Sequence, residues 1–112
     1  MIGSAEVEGA EVANVERVVA GMKAGFRACY NRGLVADPTS HGRIKIILTV
    51  GSQGEVIAAR AEPVGALPDE ITGCLVRRGQ MANFVAPEPA GSQATISFPL
   101  TLRLDDVGPD FR

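Results

Sequence analysis

The stretch GRIKIILTVGSQGEVIAARAE, residues 42–62, carries the pattern of a β-hairpin. Ile44, Ile46, Leu48 and Val50 alternate with Lys45, Ile47 and Thr49, the two-residue period of a strand with one face buried. Gly51 and Gly54 bracket a short polar stretch suited to a tight reversal, and the extended pattern resumes at Val56. The returning strand rests on weaker residues, because the alanines of "AARA" have low strand propensity.

A helical pattern lies on each side of the hairpin. Upstream, Val12, Val15, Val19, Met22, Phe26 and Cys29 recur at three- and four-residue steps, one stripe of a helix over residues 10–32. Gly33 follows the last turn as a left-handed cap, and Pro38 prevents an early restart. Downstream, "LPDEITGCLVRRGQMANF" (residues 67–84) opens with Pro68, Asp69 and Glu70, which places acids at the positive end of a helix dipole. Ile71, Cys74, Leu75 and Arg78 share a helical face, although Gly73 and Gly79 each weaken the helix by up to about 1 kcal/mol. After the breaker cluster "APEPAG", "SQATISFPLTLRL" (residues 92–104) alternates again. Ala94, Ile96, Phe98, Leu100, Leu102 and Leu104 point one way, and Pro99 points the other. Proline cannot donate to a ladder, so this last strand is expected at a sheet edge or interrupted there.

The order helix, strand, strand, helix, strand predicts an α+β domain. Its small, mainly antiparallel sheet has three strands, with two helices on one face. The domain spans residues 12–104. A small, acidic, flexible lead-in precedes it at 1–11, and an acidic tail with Asp105, Asp106 and Asp110 follows at 105–112. "MIGS" at residues 1–4 reads as an initiator or cloning remnant, with any targeting or anchoring segment upstream of it.

At 112 residues the chain makes one domain with a formal net charge of -2. Ten Lys and Arg against six Asp and Glu between Arg17 and Arg103 leave the body mildly basic between acidic ends. That balance gives no reason to expect nucleic acid. The strands offer only Phe98 for base stacking, on the expected core face, and there is no tryptophan. No apolar run approaches the ~20 residues of a membrane span.

Two cysteines, Cys29 and Cys74, end or occupy the apolar stripes of the two helices. If both helices cover one sheet face, both thiols aim into the same seam. Spacing alone is equally compatible with a disulfide and with two reduced, buried thiols acting as small hydrophobes. A zinc site would need His41 and an unnamed fourth ligand, and the chain has no Cys-x-x-Cys pair. A nucleophilic cysteine would need His41, the single histidine, as its base. The carboxylate pairs, nucleophile elbow and phosphate-cradling glycine loop of small enzymes are also missing, so no catalytic residue, metal or cofactor is expected.

In order along the chain stand Cys29-Tyr30, "GRIKIILTV" from Gly42, "GEV" from Gly54, an acid-rich helix start leading to Cys74, and Phe98-Pro99-Leu100. This series, over roughly residues 14–103, resembles the AgmX/PglI C-terminal domain family, itself similar to the C-terminal domain of TonB. One departure is visible: the family places phenylalanine directly before proline after the second helix, whereas here the segment is "FVAP", Phe84 to Pro87. The resemblance implies that Cys29 and Cys74 are paired in an oxidising compartment. It also implies a periplasmic domain of an inner-membrane-anchored protein, part of an envelope-spanning machine for gliding motility or energy transduction in myxobacteria and their relatives.

The expected activity is therefore non-enzymatic: docking an outer-membrane or periplasmic protein by pairing an extended segment with a free strand edge. The last strand is the expected edge, with Thr95, Ser97, Thr101 and Arg103 facing away from the packed side. A homodimer would use the same groups. The alternatives are a binding or homodimerisation module without force transduction, and a small enzyme.

Overall fold

The alternation of residues 42–62 becomes two paired strands in the computed structural model, which describes residues 2–64 and 67–103. The chain runs β1 (Glu6–Glu8), α1 (Val15–Gly21), α2 (Lys23–Ala36), β2 (Gly42–Val50), β3 (Val56–Val64), α3 (Asp69–Gln80) and β4 (Ala94–Leu102). Every strand pairing is antiparallel, and the described strands form one sheet in the order β1-β4-β2-β3. The α+β class expected from the sequence is present, with four strands rather than three.

The extra strand comes from the segment expected to be a flexible lead-in. Glu6, Val7 and Glu8 pair with Ser97, Ile96 and Thr95, and Ile2 bridges Leu100. Further along, Glu11 and Glu88 exchange both backbone hydrogen bonds, at 2.9 and 2.8 Å. All three β1 residues are exposed, Val7 only just at 37%, so backbone pairing holds the strand itself while Ile2, Ala5 and Ala10 beside it pack against the core. The expected acidic tail at 105–112 and Leu104 lie outside the described residues.

Helix-facing residues of β2 and β4 form the floor of the core. Ile44, Ile46, Leu48, Val50, Ala94, Ile96, Phe98, Leu100 and Leu102 are all buried. Phe26 from α2 closes on Phe98 with ring centroids 6.0 Å apart. The Tyr30 hydroxyl donates to the Ser40 carbonyl, fixing the turn from α2 into β2. Ile47, on the opposite face, is also buried; its cross-strand neighbours are Arg60 and Ser97.

The first helix departs from expectation at both ends. It starts at Val15, and Asn14 spends its side chain on the Val85 N–H, 2.9 Å away, instead of capping the helix. At Met22 the chain tightens: the Met22 N–H bonds Val19 O at 3.1 Å, an i→i+3 contact that separates α1 from α2. Gly33 does not cap the helix, which continues to Ala36. Its role is packing, since a Cβ there would stand 2.2 Å from Ile71 Cγ1. Gly25 and Gly79 likewise admit Arg78 and Leu48 at close range. Glycine is thus the residue that lets α3 settle against α2 and the sheet.

Cys29 and Cys74 lie in this seam at disulfide distance, S–S 2.03 Å, with Cα atoms 5.7 Å apart across 45 residues of sequence. Both are buried. Closing a loop of that length restricts the unfolded chain by about 4 kcal/mol. Cys29→Ala in the Cys74→Ala background is expected to lose about that much unfolding free energy. Urea titrations of the double variant against the oxidised protein measure the difference.

The hairpin reversal gives a second test. Gly54 has φ +91°, a left-handed conformation, and a Cβ there would meet the Phe84 carbonyl oxygen at 2.0 Å. Gly54→Ala is expected to cost at least about 2 kcal/mol. Gly21→Ala, where a Cβ would meet nothing within 4 Å, is expected to be neutral or to stabilise by up to about 1 kcal/mol. Thermal melts of the two variants side by side distinguish them.

Candidate functional site

The two strand prolines determine which backbone groups of the sheet are free. In an antiparallel strand, one residue points both its N–H and C=O at one neighbour, and the next points both at the other neighbour. The Pro99 carbonyl accepts from the Gly3 N–H at 2.8 Å, so Pro99 points toward β1 and away from β2. Its partner across β2, Lys45, therefore points toward β3, where it opposes Glu62. The adjacent pair, Ile44 and Pro63, must then point away from each other. Pro63, which has no N–H, sits where β2 does not need one.

By the same alternation Arg60 and Glu62 bond inward to β2, while Ala59, Ala61 and Pro63 face outward. Among the described residues no strand pairs with that side of β3. The free edge offers the N–H and C=O of Ala59 and Ala61 and the C=O of Pro63.

Side chains frame this edge on two faces. On the open face, Arg60 and Glu62 form an ion pair with N–O 3.2 Å, and both remain largely exposed. On the helix face Ala59 and Ala61 are half-buried beneath α3. Within α3, Cys74, Arg78 and Ile71 turn toward α2. At 100° per residue, the opposite flank carries Thr72, Val76 and Gln80, which overhangs the β3 edge. Thr72 and Val76 are half-buried there.

The structure places the expected docking residues elsewhere. The last strand, β4, is interior: β2 pairs along one side, and β1 covers the other at Thr95 and Ser97. Thr101 and Arg103 are each engaged in an interaction within the protein. Pro99 is compatible with this interior position because its nitrogen side faces Gly3, where the pairing with residues 2–8 is interrupted between Ile2–Leu100 and Glu6–Ser97. The signal for the true edge was Pro63 together with the small residues around it, in the strand that propensity favoured least.

Other candidate groups are dispersed. A groove of about 250 Å³ between α2 and α3 is lined by Arg32, Gly33, Glu70 and Arg77 above the disulfide. His41 is exposed, with Nδ1 2.9 Å from the Thr39 carbonyl, and lines a separate cleft with Asp37, Ser40 and Arg43 that contains no cysteine. Among the described residues no three of His, Cys, Asp and Glu are grouped to hold a metal ion. No described helix is long and apolar enough to cross a membrane. Comparison with known protein families, curated proteins and solved structures returns no match, so the AgmX/PglI likeness remains a resemblance of motifs.

The backbone assignment has a direct test. Ala61→Pro removes only an outward N–H and is expected to fold with a melting temperature within a few degrees of wild type. Arg60→Pro removes an inward donor to β2 and is expected to cost about 3 kcal/mol or more. Circular dichroism melts of both variants check the phase of the ladder.

Proposed function

We propose that this chain is a non-enzymatic protein-interaction domain of the bacterial cell envelope, of the AgmX/PglI C-terminal type and similar to TonB C-terminal domains. It docks an outer-membrane or periplasmic protein by adding an extended segment of that partner to the sheet. The observation that carries the reading is the outward backbone of Ala59 and Ala61, which no described strand satisfies. Backbone hydrogen bonds supply affinity in this mode, and the side chains of alternate guest residues supply specificity.

The docking strand is β3 rather than the last strand. A guest residue directed to the helix side would lie between Ala59 or Ala61 and the Thr72–Val76 flank of α3, where the alanines leave room for a large apolar side chain. A guest residue directed to the open face would meet Arg60 and Glu62. The Cys29–Cys74 disulfide fits an oxidising compartment such as the periplasm. An inner-membrane anchor and a linker would make the domain the distal end of a transducer. Without them it is a free binding module.

The test uses the backbone rather than a side chain. Envelope extracts are passed over immobilised wild-type protein and over Ala61→Pro, and extended peptides selected from a displayed random library are titrated against both. Wild type is expected to retain partner and peptide, and Ala61→Pro to lose both by tenfold or more, about 1.4 kcal/mol. Equal retention by the two proteins would overturn docking at β3.

A further inference from the structure

We infer that the Cys29–Cys74 bond is a site of thiol–disulfide exchange in the folded protein, and that its substrate class is a small thiol carrying negative charge. The inference stands on the seam between α2 and α3 and is independent of docking at β3. As residues the two cysteines are only 1% and 6% exposed, yet both line the groove of about 250 Å³ that opens between the helices. The bond therefore marks the boundary between the core cluster and an open groove. Gly33, which lines the same groove, carries no side chain to roof the sulfurs.

The walls of the groove are charged. Arg32 from α2 and Arg77 from α3 line it, with Glu70 as the one acid among its described lining residues. A Cβ on Gly73 would lie 3.5 Å from Arg77 Nη1, so this guanidinium folds back over the turn that carries Cys74. Farther along the seam, Arg78 lies against Gly25. Among the described residues neither Arg32 nor Arg77 has an ion-pair partner. The thiolate is the attacking species, and its rate depends on access and on how readily the departing sulfur carries charge. A net positive groove draws an anionic thiolate in and stabilises the thiolate that leaves.

The chemistry closes with two equivalents of thiol. The incoming thiolate bonds to one cysteine Sγ as the bond between the two Sγ atoms breaks, and that electron pair leaves on the other Sγ. A second thiolate attacks the sulfur contributed by the first, which forms the small disulfide and releases the remaining cysteine. The cysteine pair gains two electrons and the two thiols lose two; the protons given up by the thiols return to the cysteines through water. Ile71 against Gly33 and Leu48 against Gly79 keep α3 seated while the crosslink is open. The bond is thus a removable tie on a seam that packing also holds.

Reduction of the full chain by mercaptoethanesulfonate and by cysteamine, quenched by alkylation and read by intact mass, tests the inference. Rates per thiolate are normalised to those of the same two thiols with hydroxyethyl disulfide. At low salt the sulfonate is expected to react about tenfold faster than cysteamine. That ratio is expected to shrink toward one at about 1 M salt, where charges are screened within ~3 Å. Both rates are expected to rise in proportion to thiolate and to stay level in urea well below the unfolding transition. Arg32→Glu with Arg77→Glu is expected to reverse the preference, and both positions are exposed. Equal normalised rates for the two thiols, or a preference unchanged in the variant, would overturn the anionic substrate class. Rates that climb with sub-denaturing urea, or level off at the unfolding rate, would overturn exchange in the folded protein. The wild-type measurements decide both points even if the variant does not fold.

Discussion

The sheet depends on one constraint, that a strand's hydrogen-bonding groups alternate between its two neighbours. Pro99 and Pro63 each lack a donor, so each must sit at a position where β2 asks for none. The Gly3 contact to the Pro99 carbonyl puts Pro99 in that phase, and the pairing of Lys45 with Glu62 carries the phase across β2 to Pro63. Once it is set, Ile44, Ile46 and Leu48 turn to the helices, and Ala59 and Ala61 are left facing outward. A slip of one residue would reverse the core face and place a proline against β2 at the same time. Hydrophobic pattern and proline placement therefore specify the same register.

Above the sheet, glycine and the disulfide act on the same seam by different means. Gly33 lets Ile71 enter against the α2 backbone, and Gly25 lets Arg78 lie across it. These contacts favour the native pairing through close packing, whereas the bond between Cys29 and Cys74 acts largely by narrowing the unfolded ensemble. Gly79 extends the closeness downward to Leu48, so α3 is tied to the sheet as well as to α2. The position of α3 then shapes the proposed docking edge, because its Thr72–Val76 flank is the overhang that a guest strand would meet.

Elements that bury a periodic set of side chains were legible in the sequence, and the short strand held mainly by backbone pairing was not. Residues 42–50 and 94–102 alternate because one face of each is core, and 69–80 shows a helical stripe because it packs on both α2 and β2. Cys29 and Cys74 on their stripes pointed to one seam without deciding between a bond and two thiols. β1 was invisible, since Glu6 and Glu8 are exposed and Val7, still 37% exposed, gives no alternating pattern of buried residues. Its absence from the expected fold put β4 at the edge and moved the candidate site from β3 to Thr95, Ser97, Thr101 and Arg103. Gly33 misled for a related reason: a glycine needed for helix packing looks, in one dimension, like a glycine that ends a helix. Pro99 misled because its nitrogen could face β1 as readily as solvent.

The two rims of the sheet differ in length and in chemistry. One rim is a three-residue strand flanked by Glu6 and Glu8, and carboxylates along such a margin resist stacking by other chains. The other is longer but carries Pro63, which offers no donor. Neither margin presents the long, uncharged, proline-free segment that seeds cross-β growth. The proposed docking edge is thus kept from becoming a template for fibrils.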